Sequence, residues 1–185
     1  MSTFSNLQPL VLGVTVNVFG SDNTMNLSNY SGKNIVVLGR AGEPYLRFMP
    51  GGVQENMRSP TTYLNHSRPV PAAAGSAVMP MWRKVSNGTG YAWHDHRIVW
   101  TGSSPPPVVT AAPDTSHLIF RWAIPATADG KRFLIKGFLG WAPPAEKPGE
   151  SSRWWIVAAA AGASAIVATA LALGSRARRA RRRAL

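Results

Sequence analysis

The sequence predicts a mainly β chain, an antiparallel β-sandwich of the immunoglobulin-like kind, followed by one C-terminal transmembrane helix. Three features carry this prediction. Val14, Val16 and Val18 alternate with Thr15, Asn17 and Phe19, the period-two pattern of a strand with one buried face. Further short apolar runs follow, parted by Gly, Pro, Asn and Ser, and none sustains a helical period over the roughly ten residues that a globular helix needs. Finally, residues 154–174 form a stretch of 21 residues without a charge.

The elements follow in order. Asp22-Asn23 supplies a turn, and Met25 and Leu27 mark the strand returning from Val14–Phe19, which makes a hairpin. Ile35–Leu38 is a continuous apolar run closed by Gly39, and Pro44–Met49 is an extended segment ended by Pro50-Gly51-Gly52. Met81–Ser86, Trp93–Thr101, His117–Ile124 and Phe133–Trp141 complete a set of seven to nine short strands. Segments 69–76 and 103–113, rich in Pro, Ala and Ser, read as loops. The domain therefore covers 1–142, a Pro-stiffened linker 143–153, the membrane helix 154–174 and an Arg-rich tail 175–185.

Composition narrows the chemistry. With no cysteine, disulfides, thiolate nucleophiles and cysteine-based zinc sites are excluded. Net charge is +12, but six of the 20 basic residues lie between Arg176 and Arg183, leaving +6 without that cluster.

A helix rises about 1.5 Å per residue, so 154–174 spans roughly 30 Å, the thickness of a hydrocarbon core. Trp154 and Trp155 mark one end, where indoles favour the headgroup boundary; Arg176, Arg178, Arg179 and the arginines after them mark the other. The arginines stay in the cytoplasm, so a single-pass protein with its N-terminal domain outside the cell is expected. The opening residues have no basic leader and merge into a strand pattern, whereas outside placement needs an export signal. A truncated start, lacking its signal peptide, is the expectation; the alternative is a tail-anchored protein that breaks the positive-inside tendency.

The densest candidate segment runs from Met79 to Trp100. Asn87-Gly88 between two apolar, aromatic runs predicts a hairpin of Met81–Ser86 with Tyr91–Trp100. On an extended strand His94 and His96 share one face, while Trp93, Asp95 and Arg97 share the other. Two imidazoles so spaced can hold a metal, with Met79 and Met81, or Met49, Met57 and His66, completing the set. Thioether with imidazole suits Cu(I). The alternative is a structural role: histidines bonded to loop carbonyls, with Trp93, Asp95 and Arg97 as a motif in which Asp95 and Arg97 pair or tie down a loop.

Catalysis is not expected. There is no GxSxG elbow, Gly-rich phosphate cradle or HExxH, and Glu43 and Glu55, each beside turn residues, read as solvated or capping carboxylates rather than an acid–base pair. Trp82, Trp93, Trp100, Trp122 and Trp141 lie on candidate strands and read as core. Basic residues outside the tail are scattered along the sequence, so no nucleic-acid partner is expected.

The segments GEPYLRF (42–48), GGVQENMRSPTTYLN (51–65), WRKVS (82–86) and WHDHRIVW (93–100) resemble those of a group of actinobacterial membrane-anchored proteins with a β-rich extracytoplasmic domain carrying a WHDHR motif. The resemblance runs from about Leu38 to the anchor. It implies an exported β domain on a C-terminal helix, led by a signal peptide, with no established reaction. That pattern continues with a histidine and then a methionine, where this chain has Val99 and Thr101, which weakens a metal site built on a third strand histidine. Two readings stay open. One is a non-catalytic membrane-anchored interaction or envelope-accessory domain without cofactor, its partners the lipid bilayer and an envelope protein, with no small-molecule substrate. The other is a copper-handling module using His94, His96 and nearby methionines.

Overall fold

In the computed structural model, residues 1–19 and 24–144 are described. Residues 154–174, the arginine tail, most of the linker and the Asp22-Asn23 turn lie outside them. No helix among the described residues is long and apolar enough to cross a membrane.

Met1–Pro143 forms one compact unit. It is mainly β, in two antiparallel sheets. The strands are β1 (Ser2–Gln8), β2 (Val14–Phe19), β3 (Thr24–Asn29), β4 (Ile35–Leu38), β5 (Pro44–Met49), β6 (Gly52–Asn56), β7 (Trp82–Ser86), β8 (Gly90–His94), β9 (His117–Ala128) and β10 (Lys131–Trp141). Two short helices interrupt them, α1 (Pro60–Asn65) and α2 (Pro107–Ala111). The larger sheet has seven strands in the order β1-β10-β9-β4-β5-β6-β7, the smaller three in the order β2-β3-β8.

Alternation builds both walls of the core. Val14 and Val16 on β2, with Met25 and Leu27 on β3, are buried from one side. Ile35, Val37, Phe48, Ile124 and Ile135 are buried from the other, in a single cluster with them. Trp93 of β8 meets Phe48 of β5 at 6.2 Å between ring centroids and Tyr45 edge-on at 6.5 Å, so aromatic contacts join the sheets directly.

β4 and β5 fall on the expected residues, and β2 pairs with β3 from Val14↔Asn29 to Phe19↔Thr24. β1 and β6 are additions. β1, rich in Ser and Asn, carries a weak apolar pattern and becomes a strand by pairing with β10. β6 begins at Gly52, whose φ of +124° and close approach to the Ser86 carbonyl leave no room for a Cβ.

The expected Met81–Trp100 hairpin does not form. β7 pairs with β6 in the larger sheet, and β8 pairs with β3 in the smaller one. The link between them therefore crosses from one wall of the sandwich to the other. Ser86 Oγ accepts the Gly88 N–H at 3.1 Å, and the Thr89 carbonyl accepts the Asn29 N–H at 2.9 Å, which commits the chain to β3 from that point. Local turn propensity loses because each strand finds a sheet edge already waiting, and Trp93 and Val85 then reach the core from opposite sides.

The expected strand Trp93–Thr101 also ends early, at His94. Asp95 takes the backbone N–H of Arg97 with its side chain at 3.0 Å, and the Ile98 N–H bonds the Asp95 carbonyl at 3.1 Å. A self-bonded aspartate turn replaces the ladder there.

Candidate functional site

The turn after β8 holds a buried polar assembly. Asp95 is only 1% exposed, yet both its oxygens are occupied. Oδ1 accepts from Arg97 Nε at 2.8 Å, and Oδ2 accepts from an Arg97 terminal nitrogen at 2.7 Å and from Trp93 Nε1 at 3.0 Å. The other Arg97 terminal nitrogen donates to the Leu38 carbonyl at 2.7 Å, at the end of β4. Burial pushes the Asp95 pKa up, but the hydrogen bonds and charge of Arg97, with the Trp93 indole, outweigh it and hold it below the usual carboxylate value. The turn reaches further still. Ser2 Oγ donates to the Ile98 carbonyl at 2.8 Å and accepts from Trp122 Nε1 at 2.9 Å, tying in β1 and β9.

Beside it lies a second buried carboxylate. Glu55 on β6 is fully buried, with His66 Nε2 3.0 Å from one oxygen and Arg83 donating to the other at 3.0 Å. Tyr45 is also fully buried. Burial pushes its phenol up, the Asn65 side chain opposes this, and the Glu55 and Asp95 carboxylates and Tyr91 add to the rise; the phenol ends far above the ordinary range, so it is a neutral hydroxyl. Asn65, at the end of α1, accepts the His96 backbone N–H at 3.2 Å. Its amide nitrogen is the buried side-chain polar atom that lacks a well-formed partner among the described residues.

Glu43 anchors a third knot. Its Oε1 accepts from Ser59 Oγ at 2.6 Å and Thr61 Oγ1 at 2.7 Å, while Oε2 accepts the Ala41 N–H at 3.0 Å. Burial raises its pKa, and the Ser59, Thr61 and backbone donors more than reverse this, leaving it lowered. Ser59 also caps α1 by accepting the Thr61 N–H. Glu43 is thus a capping carboxylate. Neither glutamate is solvated, and sequence reasoning missed the depth of both, because partners 11 to 28 positions away decide it.

His94 and His96 do not share a strand face as the period-two reading expected, since His96 sits in the turn. The tertiary structure nevertheless brings both to one cavity of about 310 Å³, with Asn65, Ser67, Asp95 and Trp100 on its wall. His94 Nδ1 lies 3.4 Å from Thr24 Oγ1. Met79 and Met81 are absent from that wall and are 79% and 51% exposed. No group of three or more His, Asp or Glu side chains poised for a metal occurs among the described residues. Of the histidines and methionines considered as ligands, His94 and His96 are the two that line this cavity.

Two apolar clefts adjoin the same end of the domain. One, of about 410 Å³, lies among Trp100, Pro105, Pro106, Val109 and Trp141; the other, of about 340 Å³, lies among His117, Leu118, Phe138 and Trp141. Both exposed indoles satisfy their N–H within the chain, Trp100 on the Ser104 carbonyl at 2.7 Å and Trp141 on the Pro113 carbonyl at 3.0 Å. Comparison of the chain with protein-family models, curated proteins and solved structures found no match.

Proposed function

We propose that this protein is a non-catalytic, membrane-anchored interaction or envelope-accessory domain. The sandwich is displayed outside the cell in the manner of an immunoglobulin-like module, on a transmembrane helix at 154–174 with a cytoplasmic arginine tail. One observation carries the non-catalytic part: Asp95, the acid nearest the two histidines, has both oxygens committed to Trp93 and Arg97. Glu43 and Glu55 are committed in the same way. The buried acids hold loops together, so the working surface lies on the outside. The uncharged 154–174 stretch and the resemblance to actinobacterial anchored proteins support the placement. Protease added to spheroplasts is expected to digest the sandwich and spare the arginine tail; the reverse pattern, or a product that leaves the membrane in carbonate, overturns the placement.

A second reading has one specific observation in its favour, the shared cavity of His94 and His96. In a copper module, both imidazoles supply nitrogen ligands. Titration of the detergent-solubilised full chain with Cu(I) and Cu(II) separates the readings. Stoichiometric binding abolished by His94→Ala/His96→Ala, with the fold retained, favours copper. Absence of stoichiometric binding favours the interaction domain.

A further inference from the structure

We infer that the outer face of the seven-stranded sheet is a docking surface for an anionic lipid bilayer. Strand register gathers on this face cations that are scattered in sequence. Arg121 on β9 is opposite Phe138 on β10, Lys136 is opposite Ala123, and Arg132 is opposite Thr127. Thr127 is in turn opposite Val36, Val36 opposite Arg47, Arg47 opposite Gln54, and Gln54 opposite Lys84. Directly opposed residues share a face, so Arg47, Lys84, Arg121, Arg132 and Lys136 project from the same side. With strands about 4.8 Å apart, the five strand steps from β10 to β7 spread them over roughly 24 Å.

Among the described residues, none of these five cations is in an ion pair with a carboxylate. Of the five described acids, Glu43, Glu55 and Asp95 are buried and internally bonded. Asp129 accepts the Asn34 N–H at the hairpin end, and Asp114 lies in the loop before β9. The cations that are bonded on this face meet amides instead: Lys136 donates to Gln8, and Arg47 donates to Gln54. Between the charged strands, β9 presents Ala123 and Pro125, both exposed and small, so the face is a broad shallow surface rather than a pocket.

The observations favour lipid over nucleic acid. Stacking of successive bases needs a series of free aromatic faces; on this side the Trp82 ring carries the Arg47 guanidinium at 4.4 Å from its centroid, which leaves Phe138 alone and no such series among the described residues. Leu134 and Phe138, on the same face as Lys136, suit a headgroup boundary. The inference rests on the membrane-anchored reading for the nearness of lipid. At most 12 residues separate Trp141 from Trp154, which reach about 40 Å fully extended.

The cysteine-free sequence permits a direct test. The full chain carrying Ala123→Cys, or Thr15→Cys on the exposed side of β2, is labelled with a fluorophore. It is reconstituted into phosphatidylcholine vesicles with or without phosphatidylglycerol, bearing a headgroup quencher. Quenching at position 123 and not at 15, only with phosphatidylglycerol and weakening as salt rises, is the expected result. Arg121→Ser and Arg132→Ser, both at exposed positions, should each lower the docked-to-free ratio about fivefold. Equal quenching at both positions, or none at 123 in carbonate-resistant protein, overturns the proposal. So does shielding of position 123 by a single-stranded oligonucleotide in preference to lipid. If the chain proves carbonate-extractable, the anchored reading fails; co-sedimentation of the unanchored chain with phosphatidylglycerol vesicles then decides lipid docking by itself.

Discussion

Arg97 grips Asp95 through a two-point fork, Nε to Oδ1 at 2.8 Å and a terminal nitrogen to Oδ2 at 2.7 Å, around a carboxylate that is 1% exposed. Because Arg97 also holds the Leu38 carbonyl, this one pair fixes the turn after β8 against the end of β4. Removing either partner therefore affects both sheets.

Arg97→Ala strands a buried carboxylate, and the expected cost is about 3 to 5 kcal/mol. Arg97→Lys keeps the charge but loses the planar fork and cannot make all the bonds, for a smaller loss of about 1.5 to 3 kcal/mol. Denaturant unfolding of the two variants should preserve that order. Equal stability of Arg97→Ala and the parent would remove the structural role assigned to the motif.

Acid should unfold the domain through its buried acids. The folded-state pKa values of Asp95 and Glu43 are lowered, so their stabilisation is complete above the unfolded values, about 3.9 and 4.3. It is lost as pH falls through those values toward the folded ones. Stability should be flat down to roughly pH 5 and then decline. Ser59→Ala removes a donor to Glu43, and should both lower stability by about 1 kcal/mol through the lost cap and make the acid decline shallower. Denaturant midpoints measured across the pH series test both effects, and an unchanged slope in Ser59→Ala would count against the Glu43 assignment.

Gly39 should resist substitution by alanine. A Cβ at that position meets the Glu43 carboxylate and Thr61 Oγ1, so Gly39→Ala must displace one of them. The expected loss is about 1 to 3 kcal/mol, the usual range for overpacking. A crystal structure of the variant should find the Glu43 side chain moved off Thr61.

Met79→Ala/Met81→Ala should leave any copper affinity of the chain unchanged, because neither thioether lines the cavity of His94 and His96. Both are exposed, so the stability change at each should stay within about 0.5 kcal/mol. A tenfold fall in affinity measured by competition titration would return the methionines to the ligand set.

Several elements are legible along the chain because their cause is local. The alternation of Val14, Val16 and Val18 specifies β2, and the run Ile35–Leu38 bounded by Gly39 specifies β4. Asn87-Gly88 is equally local, and there the local reading fails. The Thr89 carbonyl goes to Asn29 on another sheet, a partner that no window around position 87 contains. Glu55 illustrates the same limit. Its neighbours suggest a solvated side chain, whereas His66 and Arg83 close over it only after β6, β7 and the end of α1 have met.

The sequence alone determined that the chain is β-rich, that it lacks thiol chemistry, and that its strands alternate between wet and dry faces, since these depend on residue type and spacing. Tertiary structure decided which strands share a sheet, which acids lie inside, and that two histidines two positions apart meet at one cavity by way of a turn. Pairing and burial are set by which sheet edges and core volume remain unfilled, and those are properties of the assembled fold rather than of any segment.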